Sequence, residues 1–171
     1  AGSGLVTIAS PRDALAVNAA AGMAVMVRPV DGAVELSALL DDRRLNAIVL
    51  GPGGGVGPAL REAVEVALSG ARAVVLDADA LTSFAGRAAD LGALLRGHSA
   101  PTILTPHDGE FTRLFSSMPE IAGVVSKLER ARAAARFLGA VVLVKGADTV
   151  VASPDGRAAI SDNAPPWLAT A

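Results

Sequence analysis

Cysteine and tyrosine are absent from this 171-residue chain, which holds one tryptophan, four phenylalanines and two histidines. Without cysteine there is no disulfide, no thiolate nucleophile and no zinc–thiolate site, and the chain suits a reducing cytoplasm. The scarcity of rings argues against aromatic-rich binding surfaces and for Ala/Val/Leu packing of helices on a sheet. Formal net charge is only −2, so no basic footprint marks nucleic acid as a partner. No apolar run is long enough to span a bilayer and no signal peptide precedes the first strand, so neither membrane nor export is expected. What is present is 51% hydrophobic residues, enough for the core of a single domain over residues 1–171.

Short β-branched runs alternate with helical stretches. Strands are predicted at 5–9, 24–27, 47–50, 73–76, 102–105 and 140–144, with helices at 11–21, 35–40, 58–68, 88–95 and 125–138. Ser10 and Pro11 read as an N-cap and a first-turn proline for the first helix. A hairpin over 149–151 and 158–160 follows, turned by Pro154, Asp155 and Gly156. Apolar strands alternating with helices predict an α/β fold with a mostly parallel sheet covered on both faces. Ligands of such sheets bind outside the carboxyl ends of the strands.

Four turns stand at those ends. Residues 51–57 carry five glycines in seven positions, which lets backbone approach a ligand and opens a helix N-terminus to an anion. The spacing is neither a dinucleotide fingerprint, since Val56 stands where a third glycine is needed, nor a Walker loop. The plainer alternative is a flexible strand-to-helix turn. Asp77 and Asp79 follow the next strand; they could hold a metal or a sugar hydroxyl, but capping or turn-making is the commoner job. Thr105, Pro106 and His107 end a strand, and Glu110 projects to the same side three residues on. His107 there is either a structural histidine or a site residue, whereas His98 reads as surface. Lys145 ends an apolar strand beside Gly146, a plausible phosphate cradle or a charge simply finishing a strand.

In chain order, GPGGG, VLDADAL, LTPHDGEF, VKGADTV and NAPPWLATA resemble the NAD(P)H-hydrate dehydratases, ribokinase-like enzymes that repair hydrated NADH and NADPH. The resemblance spans essentially the whole chain. It implies that a nucleotide, ADP in bacterial members and ATP in eukaryotic ones, phosphorylates the hydroxyl added to the nicotinamide ring, after which phosphate leaves. It further implies Gly51, Gly53, Gly55 and His107 at the hydrated dinucleotide (NADHX or NADPHX). Lys145, Gly146, Ala147, Asp148, Thr149 and Asn163 would serve the nucleotide, and Glu110 would help place Mg2+ with the phosphate. Gly54 stands where the family usually has leucine, which loosens the loop. Fusion or pairing with an epimerase, and a homo-oligomer, are the family's expectations for partners.

In the family LATA runs on into Gly-Ser/Thr-Gly-Asp, whose Asp is the base. By that comparison the Asp is expected beyond Ala171, and Ala1 to Gly4 resemble the end of the family's first helix. The 171 residues then read as a fragment, incomplete at both ends, that binds nucleotide weakly, catalyses little and exposes apolar sheet. A thiazole or hydroxymethylpyrimidine kinase would share the fold, but usually carries Asn where His107 stands. A non-catalytic nucleotide-binding module and a purely structural α/β domain are the remaining alternatives.

Overall fold

The computed structural model describes residues 4–22 and 24–163. The chain forms two compact units, Ala1–Leu45 and Asn46–Ala171. The first holds β1 (Thr7–Ser10), α1 (Leu15–Ala21), β2 (Met26–Pro29) and α2 (Gly32–Leu40), with β1 and β2 parallel. Ser10 does not cap a helix. It is the last residue of β1, fully buried, and its hydroxyl accepts from Asn18 Nδ2 at 2.8 Å. The reason lies downstream: the Arg12 backbone N–H donates to Asp31 at 3.0 Å, and Ala14 N closes a turn on Pro11 O. The helix therefore starts only at Leu15, without a side-chain cap.

The second unit contains β3 (Ala47–Leu50), α3 (Pro58–Ser69), β4 (Ala73–Leu76), α4 (Asp79–Ser83), α5 (Ala88–Gly97) and β5 (Thr102–Leu104). After these come α6 (Asp108–Leu114), α7 (Pro119–Ala122), α8 (Lys127–Leu138), β6 (Val141–Val144), β7 (Thr149–Ala152) and β8 (Ala158–Ser161). Its six strands lie in sequence order, parallel from β3 to β6 and antiparallel from β6 to β8. The predicted hairpin forms, with Gly156 at φ +91 and Ser153 N donating to Arg157 O at 2.9 Å. The short helices α4 and α6 follow the Asp77 and Thr105–His107 turns, and α7 falls in a stretch given no element from sequence.

Within this unit one face of the sheet carries the core. Val74, Leu76, Leu104, Val142, Val144, Val150 and Ala152 are buried in a core shared with α3, α5, α6 and α8. Their strand neighbours Val75, Ile103 and Leu143 are half-buried, and Val49 is 65% exposed. Strand order explains it. When parallel strands advance in one direction, right-handed crossovers lay every helix on one face. At the far end of α8, Gly139 adopts φ +68 and closes the helix through its N–H to Ala135 O, 2.9 Å.

Candidate functional site at the strand ends

The parallel ladder runs on past the strands, and that brings the four turns side by side. Asp77 N donates to Leu50 O at 3.0 Å, Thr105 N to Leu76 O at 3.0 Å, and Lys145 N to Pro106 O at 2.8 Å. His107 and Lys145 form a parallel bridge. Gly51, Asp77, His107 and Lys145 thus sit at neighbouring carboxyl ends of β3, β4, β5 and β6, where an open α/β sheet binds ligands.

In the glycine turn, Gly51 has φ +126, and a Cβ there would lie 1.7 Å from Asp77 O. Only glycine fits. Gly54 N turns back onto Gly51 O at 2.8 Å. Two further loop N–H groups are already held by α4: Gly55 N by Asp79 Oδ2 at 3.0 Å, and Gly57 N by Ser83 Oγ at 3.0 Å. The loop is therefore pinned, not merely flexible, and Asp79 does its turn-making across to this loop. Gly53 and Gly55 stand clear, with nothing within 4 Å of an added Cβ.

His107 is the N-cap of α6. Its Nδ1 accepts from Gly109 N at 3.0 Å, while Glu110 Oε2 accepts from His107 N at 2.9 Å, a reciprocal capping box. With Nδ1 accepting, the neutral ring carries its hydrogen on Nε2, and the side chain is 52% exposed. Glu110 is buried, with its second oxygen 3.4 Å from His107 Nε2. Arg130 of α8 pairs with Asp108 and stacks over Phe111, its carbon 5.3 Å from the ring centre, so α8 clamps this turn.

Lys145 Nζ lies 2.6 Å from Asp77 Oδ1 and 4.0 Å from Glu110 Oε2. Burial pushes the Asp77 carboxyl up, but hydrogen bonds from Lys145, Thr105 and the Ala78 N–H outweigh it, so Asp77 titrates below its ordinary value. The adjoining turn is held by Lys127, which donates to Asp148 O and, at 3.0 Å, to Asp148 Oδ1. Lys127 Nζ occupies the space of any Gly146 side chain, 2.4 Å from where a Cβ would sit. Its hydrogen bond holds the Asp148 carboxyl below the usual range. Thr149 Oγ1 closes the turn on Gly146 O at 3.5 Å. Asn163, exposed, accepts from Ser161 at 3.0 Å. Because Thr149 pairs with Ser161 across the hairpin, Asn163 lies along the same sheet edge as the Lys145 turn, two strands away.

The sequence reading missed Lys127, Ser83 and the Asp77–Lys145 pair. One signal was available: Lys127 and Lys145 are the only two lysines of the chain, against thirteen arginines. His98 is a second correction. It is half-buried, with Nδ1 at 2.8 Å from Leu68 O and Nε2 at 3.0 Å from Arg72 O, so it ties the end of α5 to the α3–β4 connection. Among the described residues no three His, Cys, Asp or Glu side chains cluster as a metal cage. The end motifs, residues 1–3 and 164–171, lie outside the described residues.

The family model for NAD(P)H-hydrate dehydratase matches residues 1–171. The bifunctional NAD(P)H-hydrate repair enzyme Nnr of Synechocystis sp. is 39% identical over 171 residues, 96% of this chain and 31% of that protein. The ADP/ATP-dependent NAD(P)H-hydrate dehydratase of Bacillus subtilis, co-crystallized with ATP/Mg2+ and soaked with CoA, superposes with TM-score 0.74 at 27% identity. It matches 98% of this chain and 58% of its own. A ribokinase-like superfamily protein of Enterococcus faecalis, at 20% identity and TM-score 0.69, shares the fold. The chain thus spans about a third of the bifunctional relative and under two thirds of the solved Bacillus chain.

Proposed function

Because the chain belongs to the NAD(P)H-hydrate dehydratase family, we propose that its strand-end site serves nucleotide-dependent dehydration of NADHX and NADPHX. The donor, ADP in the favoured reading, passes its terminal phosphoryl group to the ring hydroxyl and leaves as AMP. Phosphate then departs from that carbon as the neighbouring carbon loses a proton, which restores the ring double bond and NAD(P)H. The observation that carries this reading is the convergence of His107, Glu110 and Lys145, with Asp77 between, at adjoining strand ends.

Gly51, Gly53 and Gly55 line the dinucleotide half, where the absence of side chains admits a flat ring and His107 Nε2 offers a hydrogen bond to it. Lys145 and the Gly146–Ala147–Asp148–Thr149 turn hold the donor's phosphates, with a point charge beside backbone N–H groups. Asn163 borders the nucleotide side. Mg2+ typically takes one or two carboxylates plus substrate phosphates. Glu110 fits that donor set, and the ion would supply charge neutralisation when it arrives with the nucleotide. Phosphorylation also needs a general base to take the proton of the ring hydroxyl. Coupling to an epimerase and a homo-oligomeric assembly belong to the same proposal.

The test is appearance of NADH from NADHX by the longest natural chain carrying these residues, with ADP and ATP compared. NADH formed faster with ADP, alongside AMP and phosphate, supports the reading. Failure with both nucleotides overturns it, and accumulation of a stable phosphorylated product would instead identify a kinase.

A further inference from the structure

The β4–α4 turn touches both halves of the site. Its Asp77 carbonyl backs onto Gly51, its Asp79 carboxylate holds Gly55 N, and its Asp77 carboxylate holds Lys145. Between the two acids, Ala78 has φ +46 and ψ −117, the only positive φ outside glycine among the described residues. A residue there persists only when its surroundings over-determine it, and such residues cluster at functional sites. Here Asp77 N is fixed on Leu50 O, Ala80 N on Asp77 O and Thr82 N on Ala78 O, each at 3.0 Å. The strained turn therefore aims the Asp77 carboxylate along the strand ends.

What it aims at is a flexible group. Lysine carries its charge on a four-carbon stem with large rotamer freedom, and Lys145 is 40% exposed. A second anion, Glu110, waits at 4.0 Å. Left alone, the ammonium would divide its time between Glu110 and solvent. Resting on the reading of Lys145 as a donor-phosphate ligand, we propose that Asp77 is the positioning residue that aims Lys145 at the transferring phosphoryl group. Asp77 itself touches neither nucleotide nor dinucleotide in this role; it acts through the lysine.

The consequence is a split in kinetic constants. Asp77→Asn removes an anion beside a phosphate site, so nucleotide affinity does not fall. The lysine, no longer aimed, stabilises the transition state less. We expect kcat to drop about tenfold or more while the nucleotide KM rises less than about twofold. In a Lys145→Met background the same change should cost less than about twofold further, because paired groups do not add. Asp77→Glu, which keeps the charge, should recover part of kcat. Equal losses in both backgrounds, or a raised KM at unchanged kcat, would overturn the assignment and leave Asp77 a structural turn residue.

The pairing has an independent readout that needs no turnover. With two lysines in the chain, acylation by an amine reagent can be followed at Lys145 relative to Lys127 by peptide mass spectrometry. Asp77→Asn should speed labelling of Lys145 several-fold over Lys127. An unchanged ratio in a folded variant refutes the pairing. If the wild-type protein forms no NADH with either nucleotide, the proposed function fails, and the labelling ratio still decides whether Asp77 holds the lysine.

Discussion

Gly51→Ala is the substitution whose cost the structure specifies most fully. The new Cβ would lie 1.7 Å from Asp77 O, and ordinary contact begins near 3.4 Å, so the β4–α4 turn would have to retreat by a similar distance. That retreat breaks two 3.0 Å hydrogen bonds, Asp77 N to Leu50 O and Ala80 N to Asp77 O, worth about 1 kcal/mol each. Alanine at φ +126 adds about 1–3 kcal/mol of backbone strain. The sum, about 3–5 kcal/mol, is a large part of the about 5–15 kcal/mol that holds a domain folded. Gly53→Ala is the control. It shares a positive φ, +67, but meets nothing within 4 Å, so it should cost only about 1–2 kcal/mol. Urea denaturation of both variants beside the parent measures the difference. If the two lie within about 0.5 kcal/mol of each other, the close approach of the glycine turn to Asp77 is not a feature of the protein.

Glu110→Ala should destabilise by about 0.5–2 kcal/mol through loss of the cap on His107 N, whereas Glu110→Gln keeps an acceptor oxygen and should cost less; equal urea midpoints would refute the capping role. Lys127→Met should let the Asp148 carboxyl rise toward its ordinary value, read by NMR titration of its side chain, since the lysine's hydrogen bond is the leading cause of its lowered state; an unmoved titration contradicts this. Asp77 is lowered in the folded protein, so its contribution to stability is full above the ordinary aspartate value of about 3.9 and is lost as pH falls through its lower folded value. Denaturation midpoints should therefore be insensitive to this group near neutrality and fall in acid, with a shallower acid limb for Asp77→Asn; identical limbs would count against the ion pair.

Much of the second unit was legible because short apolar, β-branched runs favour strands. The apolar runs at 47–50 and 73–76 coincide with β3 and β4, and the helix expected at 125–138 ends with α8 at Leu138. Ser10 misled because an N-cap and a strand end use the same extended backbone, and the choice was made by Asp31, nineteen residues away. His98 looked solvated among polar neighbours, yet the two carbonyls beside its ring nitrogens lie twenty-six and thirty residues distant in sequence.

The same boundary runs through the site. Sequence alone singled out the strand-end turns as candidates, because glycine, Thr-Pro-His and a lysine after apolar strands are local statements about backbone freedom, capping and charge. It also carried the family, through motifs read in order. Only tertiary structure decided that Asp77 belongs to Lys145, sixty-eight residues on, that Asp79 and Ser83 pin the glycine turn, and that Lys127 fills the space over Gly146. These are distances of a few ångströms between residues whose separation in the chain says nothing about their separation in space; the parallel register of β3 to β6 sets them.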